Sequence, residues 1–370
     1  MPPRMEPFTP AQTPSAPGHE PAQQRTPCPA CRAIQEPGDR FCEECGADLQ
    51  ATHPLPAQRR PTPLGARCVT CATGVIDGQG YCDWCGRLQS RDRVEIDLGV
   101  AAGVSDRGRR RQRNEDALAL RRVGPAGGST HAAVAVVCDG VSSATCSDEA
   151  AQAAADAAAD ALAAALGAGT APEPATRDAV AAALEAVIDM ARPGRGCDAP
   201  ACTYVSAVVT STSVTIGWVG DSRAYWVASH DGHGHEPSSR LTADDSWAAE
   251  MVASGVLSEA EAAADRRAHA ITAWLGPDAE ELQPHVRTLT PGCDGVVVVC
   301  SDGLWNYLGT AEEIAAALPP GAAEAPLAAA AELVRIACEA GGHDNVTVAV
   351  LPFVLGAVAA PPASDRSAQR

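Results

Sequence analysis

The stretches Ala132-Ala133-Val134-Ala135-Val136-Val137-Cys138-Asp139-Gly140 and Val296-Val297-Val298-Val299-Cys300-Ser301-Asp302-Gly303 decide how the chain is read. Each is an unbroken apolar run that stops on an aspartate and a glycine. A run without polar alternation is a strand buried on both faces. Such a strand fixes the residue at its end, and a following glycine lets the backbone turn or approach a ligand closely. Runs of the same kind recur at Tyr204–Thr210, Val214–Val219, Ala224–Val227 and Val346–Leu351, the last preceded by Gly342-His343-Asp344-Asn345. Alanine-rich segments at Asp148–Leu166, Thr176–Met190, Asp245–Ser254, Glu312–Leu318 and Ala323–Glu339 read as helices. Strands in adjacent pairs, then helices, predict an antiparallel α+β architecture, not strict βαβ alternation.

Composition bounds the rest. The 370 residues are 46% hydrophobic but only 4% aromatic, so the core is expected to be built from Ala, Val and Leu. Met1–Pro27 is rich in Pro, Gln, Thr and Ser and cannot bury enough surface to offset its ordering entropy. Residues 1–26 and the tail 356–370 are therefore expected to be disordered. The first residues lack a charged segment followed by an apolar one, which excludes a signal peptide and predicts a cytoplasmic chain. No run reaches the roughly 18 apolar residues of a membrane span; Glu149–Leu166 comes nearest, and Asp156 and Asp160 interrupt it. Ten basic and ten acidic residues balance within Met1–Arg93, so the whole net charge of −18 falls on residues 94–370. An acidic domain repels nucleic acid and anionic lipid, but it can supply carboxylates to hard cations.

Fifteen cysteines divide into two sets. Cys28, Cys31, Cys42 and Cys45 form one module, and Cys68, Cys71, Cys82 and Cys85 repeat its spacing, with a glycine after each last cysteine. Four thiolates in two C-x-x-C pairs suit a closed tetrahedral Zn²⁺ site, which is structural. Metal must supply most of the folding energy of so short a module. A redox pair or an iron–sulfur site are the alternatives. The expected boundaries are 27–49 and 67–90 for the two ribbons and 50–66 for a proline-rich linker. With no basic stripe, the ribbons point to an unidentified protein partner, not to nucleic acid. The other seven cysteines, scattered from Cys138 to Cys338, read as small buried hydrophobes, and disulfides are not expected without an export signal.

The chemistry sits where strands end. Asp139, Asp302 and Asp344 stand at strand edges, and Glu115-Asp116 follows the arginines of Arg111-Gln112-Arg113. One Asp-Gly after a strand is ordinarily a turn. Several carboxylates that converge need cations to stay ionised together, and oxygen ligands of this kind choose Mg²⁺ or Mn²⁺.

Residues 94–355 resemble the PPM-type (type 2C) metal-dependent protein phosphatases in their bacterial form. The resemblance rests on six motifs in the family's order: Ser105-Asp106-Arg107-Gly108 with Arg111 and Asn114-Glu115-Asp116; Cys138-Asp139-Gly140; Val219-Gly220-Asp221-Ser222-Arg223-Ala224-Tyr225; Leu241-Thr242 with Asp244; Cys300-Ser301-Asp302-Gly303-Leu304-Trp305; and Gly341-Gly342-His343-Asp344-Asn345-Val346-Thr347. It implies a sandwich of two mainly antiparallel sheets flanked by helices, with the active site in a cleft at one end. It implies that Asp139 bridges two Mn²⁺ or Mg²⁺ ions, with the Gly140 carbonyl, Asp302 and Asp344 as further ligands and Glu115 acting through water. Arg111 would grip the substrate phosphate, and Asp198, five residues before Thr203, would mark a third metal. The implied reaction is hydrolysis of phosphoserine and phosphothreonine in proteins by hydroxide shared between the metals, opposing Ser/Thr kinases.

The sequence departs from the family at Val141-Ser142-Ser143, Ala201-Cys202-Thr203 and Asp244-Asp245-Ser246. The first departure motivates a second reading, a non-catalytic phosphoprotein-binding scaffold. Asp221 and Arg223 are expected to pair and fix a hairpin, His343 to be a spacer, and Trp84 and Trp305 to be packing anchors.

Overall fold

In the computed structural model, the structure describes residues 93–124, 132–193, 197–229, 237–279 and 282–355, together with Trp84 and a short antiparallel pair, β1 (Thr26–Pro27) and β2 (Ile34–Gln35). The expected disordered ends, the linker and all eight paired cysteines lie outside the described residues.

Two antiparallel sheets stack face to face. The first contains β3 (Arg93–Asp97), β4 (Ala102–Asp106), β9 (Arg223–Ala228), β10 (Ser239–Arg240), β12 (Gly295–Cys300) and β13 (Val346–Phe353), in the order β10-β9-β12-β13-β4-β3. The second contains β5 (Asp116–Val123), β6 (Ala132–Asp139), β7 (Tyr204–Thr210), β8 (Val214–Val219) and β11 (His285–Leu289), in the order β11-β8-β7-β6-β5. Helices α1 (Ser147–Gly167) and α2 (Pro172–Met190) cover the five-stranded sheet. On the other side lie α5 (Asp302–Trp305), α6 (Ala311–Ala317) and α7 (Pro326–Ala340). Helices α3 (Trp247–Ala253) and α4 (Glu259–Ala264) follow β10. Among the described residues no helix is long and apolar enough to cross a membrane.

The core has three layers, and β6 shows why. Val134, Val136 and Cys138 face the helices, while Ala133, Ala135 and Val137 face the other sheet. Both faces are covered, so the alternation expected of a half-exposed strand is absent. Helix α1 buries Ala150, Ala151, Ala154, Ala155, Ala158, Ala159 and Leu162. Small side chains let it lie close on the sheet, which is how a chain with few aromatics fills its interior.

The six strands and five helices read from the sequence are all present, with ends shifted by a few residues. Strands β3, β4, β5 and β11 were not legible. β3 and β11 are edge strands with exposed or half-exposed side chains, and β5 opens on the charged Glu115-Asp116 motif.

Antiparallel pairing gathers the strand ends that matter. Asp116 at the start of β5 sits opposite Asp139 at the end of β6. Cys300 at the end of β12 pairs with Val348 near the start of β13 and with Arg223 at the start of β9. Ser105 near the end of β4 pairs with Thr347. Tyr204 at the start of β7 pairs with Val219, just before Gly220-Asp221. Every motif therefore meets at one end of the sandwich.

Candidate metal and phosphate site

Asp139 is held through its backbone. Its N–H donates to Thr203 Oγ1 at 3.1 Å and its carbonyl accepts from the Thr203 N–H at 2.8 Å. Gly140 follows because nothing larger fits: a Cβ there would stand 2.7 Å from the Ser147 carbonyl oxygen and 2.8 Å from that of Glu115. Asp302 begins α5, and Gly303 is as constrained, with a Cβ falling 1.8 Å from the Asn345 carbonyl oxygen. Gly108 has φ +75 and comes as near to Asp344, whose carbonyl oxygen would lie 2.0 Å from an added Cβ.

Asn345 ties the loops together. Its Oδ1 accepts from the Glu115 N–H at 2.8 Å, and its Nδ2 donates to the carbonyls of Arg107 and Arg113 at 2.8 and 2.9 Å. The loop bearing Arg111 is thereby pinned to the turn bearing Asp344. Arg111 Nη2 donates to Asp344 Oδ2 at 2.5 Å, and its Nη1 donates to Ser142 Oγ at 2.8 Å. Burial works against its charge, but Asp344, Glu115 and Asp139 outweigh that, and its pKa is raised. Glu115 Oε1 accepts from Arg113 Nη2 at 2.6 Å and from Ser147 Oγ at 2.5 Å, and its Oε2 accepts from Ser142 Oγ at 3.2 Å. Ser142 belongs to the departure after Asp139-Gly140; it bridges Arg111 and Glu115.

The carboxylates crowd one another. Burial pushes Asp139 well above the usual carboxylate range, and the charges of Asp116, Asp302 and Asp344 push it further. Asp302 is raised by burial and then by Asp344, Asp221 and Asp116, with Arg111 opposing. Like charges in low dielectric take up protons unless cations neutralise them. Asp302 Oδ1 and Asp116 Oδ1 are buried and have no hydrogen-bond partner among the described residues. Orphaned carboxylate oxygens in a cluster of this density fit hard divalent cations. Asp139, Asp302, Asp344 and the Gly140 carbonyl would hold them, with Glu115 alongside.

Two acidic residues outside the predicted ligand set join the cluster. Asp116 Oδ2 accepts from Ser301 Oγ and Thr347 Oγ1, each at 2.7 Å, and so links the two sheets. Asp221 is buried, and its charge reaches Asp139 and Asp302. The expected hairpin fixed by an Asp221–Arg223 pair is not found: β8 and β9, on either side of this turn, lie in different sheets. Arg223 instead makes a forked pair with Asp244, Nε to Oδ1 at 2.9 Å and Nη2 to Oδ2 at 2.6 Å, and its guanidinium lies 3.7 Å over the Trp305 ring. Asp244 presents two oxygens to the planar fork.

Asp198 is exposed and lies on the segment that runs from Cys197 to Thr203, the residue that holds Asp139. Two further expectations need correction. Cys146 and Cys197 form a disulfide, so two of the seven scattered cysteines are not isolated hydrophobes; Cys138, Cys202, Cys293 and Cys300 are buried and in no disulfide, and Cys338 is half-buried. Trp84 is 74% exposed and is not a packing anchor, whereas Trp305 packs against Arg223 and His269.

Comparison with known proteins agrees with this geometry. The family Protein phosphatase 2C matches residues 105–326, more than half of the chain, and Double zinc ribbon matches residues 28–86. The chain belongs to the protein phosphatase 2C family. It is 35% identical over 152 residues to a putative protein phosphatase 2C-type of Streptococcus pyogenes, a match covering 40% of this chain and 57% of that protein. It is 34% identical over 136 residues to the protein phosphatase PhpP of Streptococcus pneumoniae, covering 36% and 50%. The chain thus spans about half the length of the curated relatives it matches. The fold is similar to that of the serine/threonine phosphatase Stp1 from Staphylococcus aureus, with TM-score 0.57 and 24% identity over 72% of this chain and 99% of that one. It is also similar to the PPM Ser-Thr phosphatase MsPP from Mycobacterium smegmatis, with TM-score 0.50 and 25% identity over 69% and 98%.

Proposed function

We propose that the chain hydrolyses phosphoserine and phosphothreonine in proteins, using divalent cations held by Asp139, Gly140, Asp302 and Asp344. The observation that carries this reading is the convergence of these carboxylates and Asp116 near Arg111, with one buried unpartnered oxygen on Asp302 and one on Asp116. Bound Mn²⁺ or Mg²⁺ would supply a water of lowered pKa as nucleophile. The chain's own residues do the rest. Arg111 has a buried Nε without a partner, and its Nη2 is spent on Asp344. Once a cation satisfies Asp344, Nη2 and Nε together form a fork matched to two phosphate oxygens. Ser142 and Ser147 hold Glu115 beside Asp139, where it can orient water and accept its proton.

A third cation would be held by the exposed Asp198, whose segment leads to Thr203 beside Asp139. The paired cysteines of residues 28–86 would hold two structural Zn²⁺ ions and dock a protein partner. The finer reading is a cytoplasmic enzyme that opposes Ser/Thr kinases. It draws on the likeness to a solved structure named a serine/threonine phosphatase and on thiolate sites that suit a reducing compartment. The scaffold reading loses its motive, because Ser142 gives the altered turn a role beside Arg111.

The test is turnover of a phosphothreonyl peptide under a Mn²⁺ titration. Activity should vanish in chelator, and Asp302→Asn should lower kcat/KM by on the order of 100-fold or more, since even supporting residues around a metal cost 10–100-fold. Full activity in either condition would sink the proposal.

A further inference from the structure

Cys146 and Cys197 are 51 residues apart in sequence and are joined by a disulfide, with Cα atoms 5.8 Å apart. Both neighbours matter. Cys146 immediately precedes α1, whose first residue, Ser147, donates to Glu115 and packs its carbonyl against Gly140. Cys197 immediately precedes Asp198 and the segment leading to Thr203, which holds Asp139. Hydrogen bonds flank the disulfide on the same two segments: Ala199 N–H to Thr145 Oγ1, and Val141 N–H to the Ala201 carbonyl, each at 3.0 Å. Cys146 also has φ 56, the one left-handed non-glycine residue among those described. A side chain in that region is disfavoured unless its surroundings hold it there. Cys197 is buried and Cys146 is half-buried.

We propose that Cys146–Cys197 is a redox-responsive clamp on the site. When oxidised, it holds Ser147 and the Asp198 segment against the carboxylates. When reduced, it releases them and weakens divalent-cation binding. The cation part rests on the function proposed above. Reduction by a dithiol transfers two electrons and two protons: the S–S bond breaks, two thiols form, and the dithiol closes to its own disulfide. A peroxide restores the bond, taking both thiol hydrogens and leaving as two waters. In a compartment that keeps the ribbon thiols reduced, a disulfide is transient, and transient disulfides there are typically catalytic or redox-sensing.

The experiment uses the full chain with its zinc. Peptide mapping after thiol alkylation reads the state of the pair before and after equilibration with a dithiol. In each state, the Mn²⁺ concentration giving half of the maximal thermal stabilisation is measured, and separately that giving half of the maximal phosphopeptide turnover. Reduction should raise both by about tenfold, the low end of what losing support around a metal site costs. The double variant Cys146→Ser, Cys197→Ser should sit at the reduced value with or without dithiol, which separates the clamp from the ribbon cysteines. Three results overturn the inference: equal Mn²⁺ values in the two states of the unaltered chain, a dithiol response that persists in the double variant, or a pair recovered as a zinc thiolate with Glu149 and never as a disulfide. A dithiol-dependent shift in thermal stabilisation without turnover in either state would leave the clamp standing and remove the phosphatase reading instead.

Discussion

Asp116 faces Asp139 across the β5–β6 pair, and burial pushes its carboxyl up from 3.8 to about 7, with the charge of Asp344 adding to the rise against hydrogen bonds from Ser301 and Thr347. Asp221 is likewise raised to about 7, by burial first and then by Asp244. In the folded chain these groups keep protons that the unfolded chain has released from about pH 4 upward, so stability falls as pH rises from about 4 to 7 and levels off above. In chelator, the thermal midpoint should therefore be higher at pH 5.5 than at pH 8, by several degrees. Saturating Mn²⁺ should flatten or reverse the slope, because cations take over the neutralising task of the protons. A chelated protein whose stability rises across that window would contradict the buried-carboxylate picture. Asp139, Asp302 and Asp344 were legible in the sequence because each stands beside a glycine or asparagine at the edge of an apolar run. The part Asp221 plays was not, because its approach to Asp302 depends on the pairing of β9 with β12, which sets Arg223 opposite Cys300.

At the scale of elements, glycine fixes how closely the site loops approach. Gly303 lets α5 start against the Asn345 carbonyl, and Gly303→Ala would put a methyl 1.8 Å from that oxygen. Overpacking of this kind costs about 1–3 kcal/mol. The expected outcome is a thermal midpoint lowered by several degrees and weaker Mn²⁺ binding, since Asp302 and Asp344 flank the contact. The Arg223–Asp244 pair joins the start of β9 to the segment after β10, and both side chains are about 10% exposed. Removing one partner leaves the other charge buried, so Asp244→Ala should destabilise by about 3 kcal/mol in denaturant unfolding. If Arg223 were held by Asp221 instead, the loss would be small. The elements themselves were largely readable, because uniform valine and alanine runs demand burial on both faces. The edge strands β3 and β11 were not, because one-sided exposure leaves little pattern in five residues.

For the whole molecule, the charge of −18 lies beyond Arg93, on the residues that build the sandwich. An acidic body attracts basic substrates over distances that salt screens. Phosphopeptides flanked by arginine should show higher kcat/KM than acidic ones. That advantage should fall by on the order of threefold between about 0.05 and 0.5 M salt, read from initial rates at fixed Mn²⁺. An advantage independent of salt would mean that recognition rests on contacts, not on the field.

By itself the sequence determined the fold class and the two repeated four-cysteine modules, and it singled out the carboxylates proposed to bind hard cations. Apolar runs ending in Asp-Gly, and evenly spaced thiols, express local physics that survives without a third dimension. The tertiary structure alone decided that Arg223 takes Asp244 and not its near neighbour, that Ser142 bridges Arg111 and Glu115, and that two cysteines 51 residues apart meet beside the site. Each of these depends on distances between segments brought together by sheet stacking and loop packing, which linear spacing does not encode.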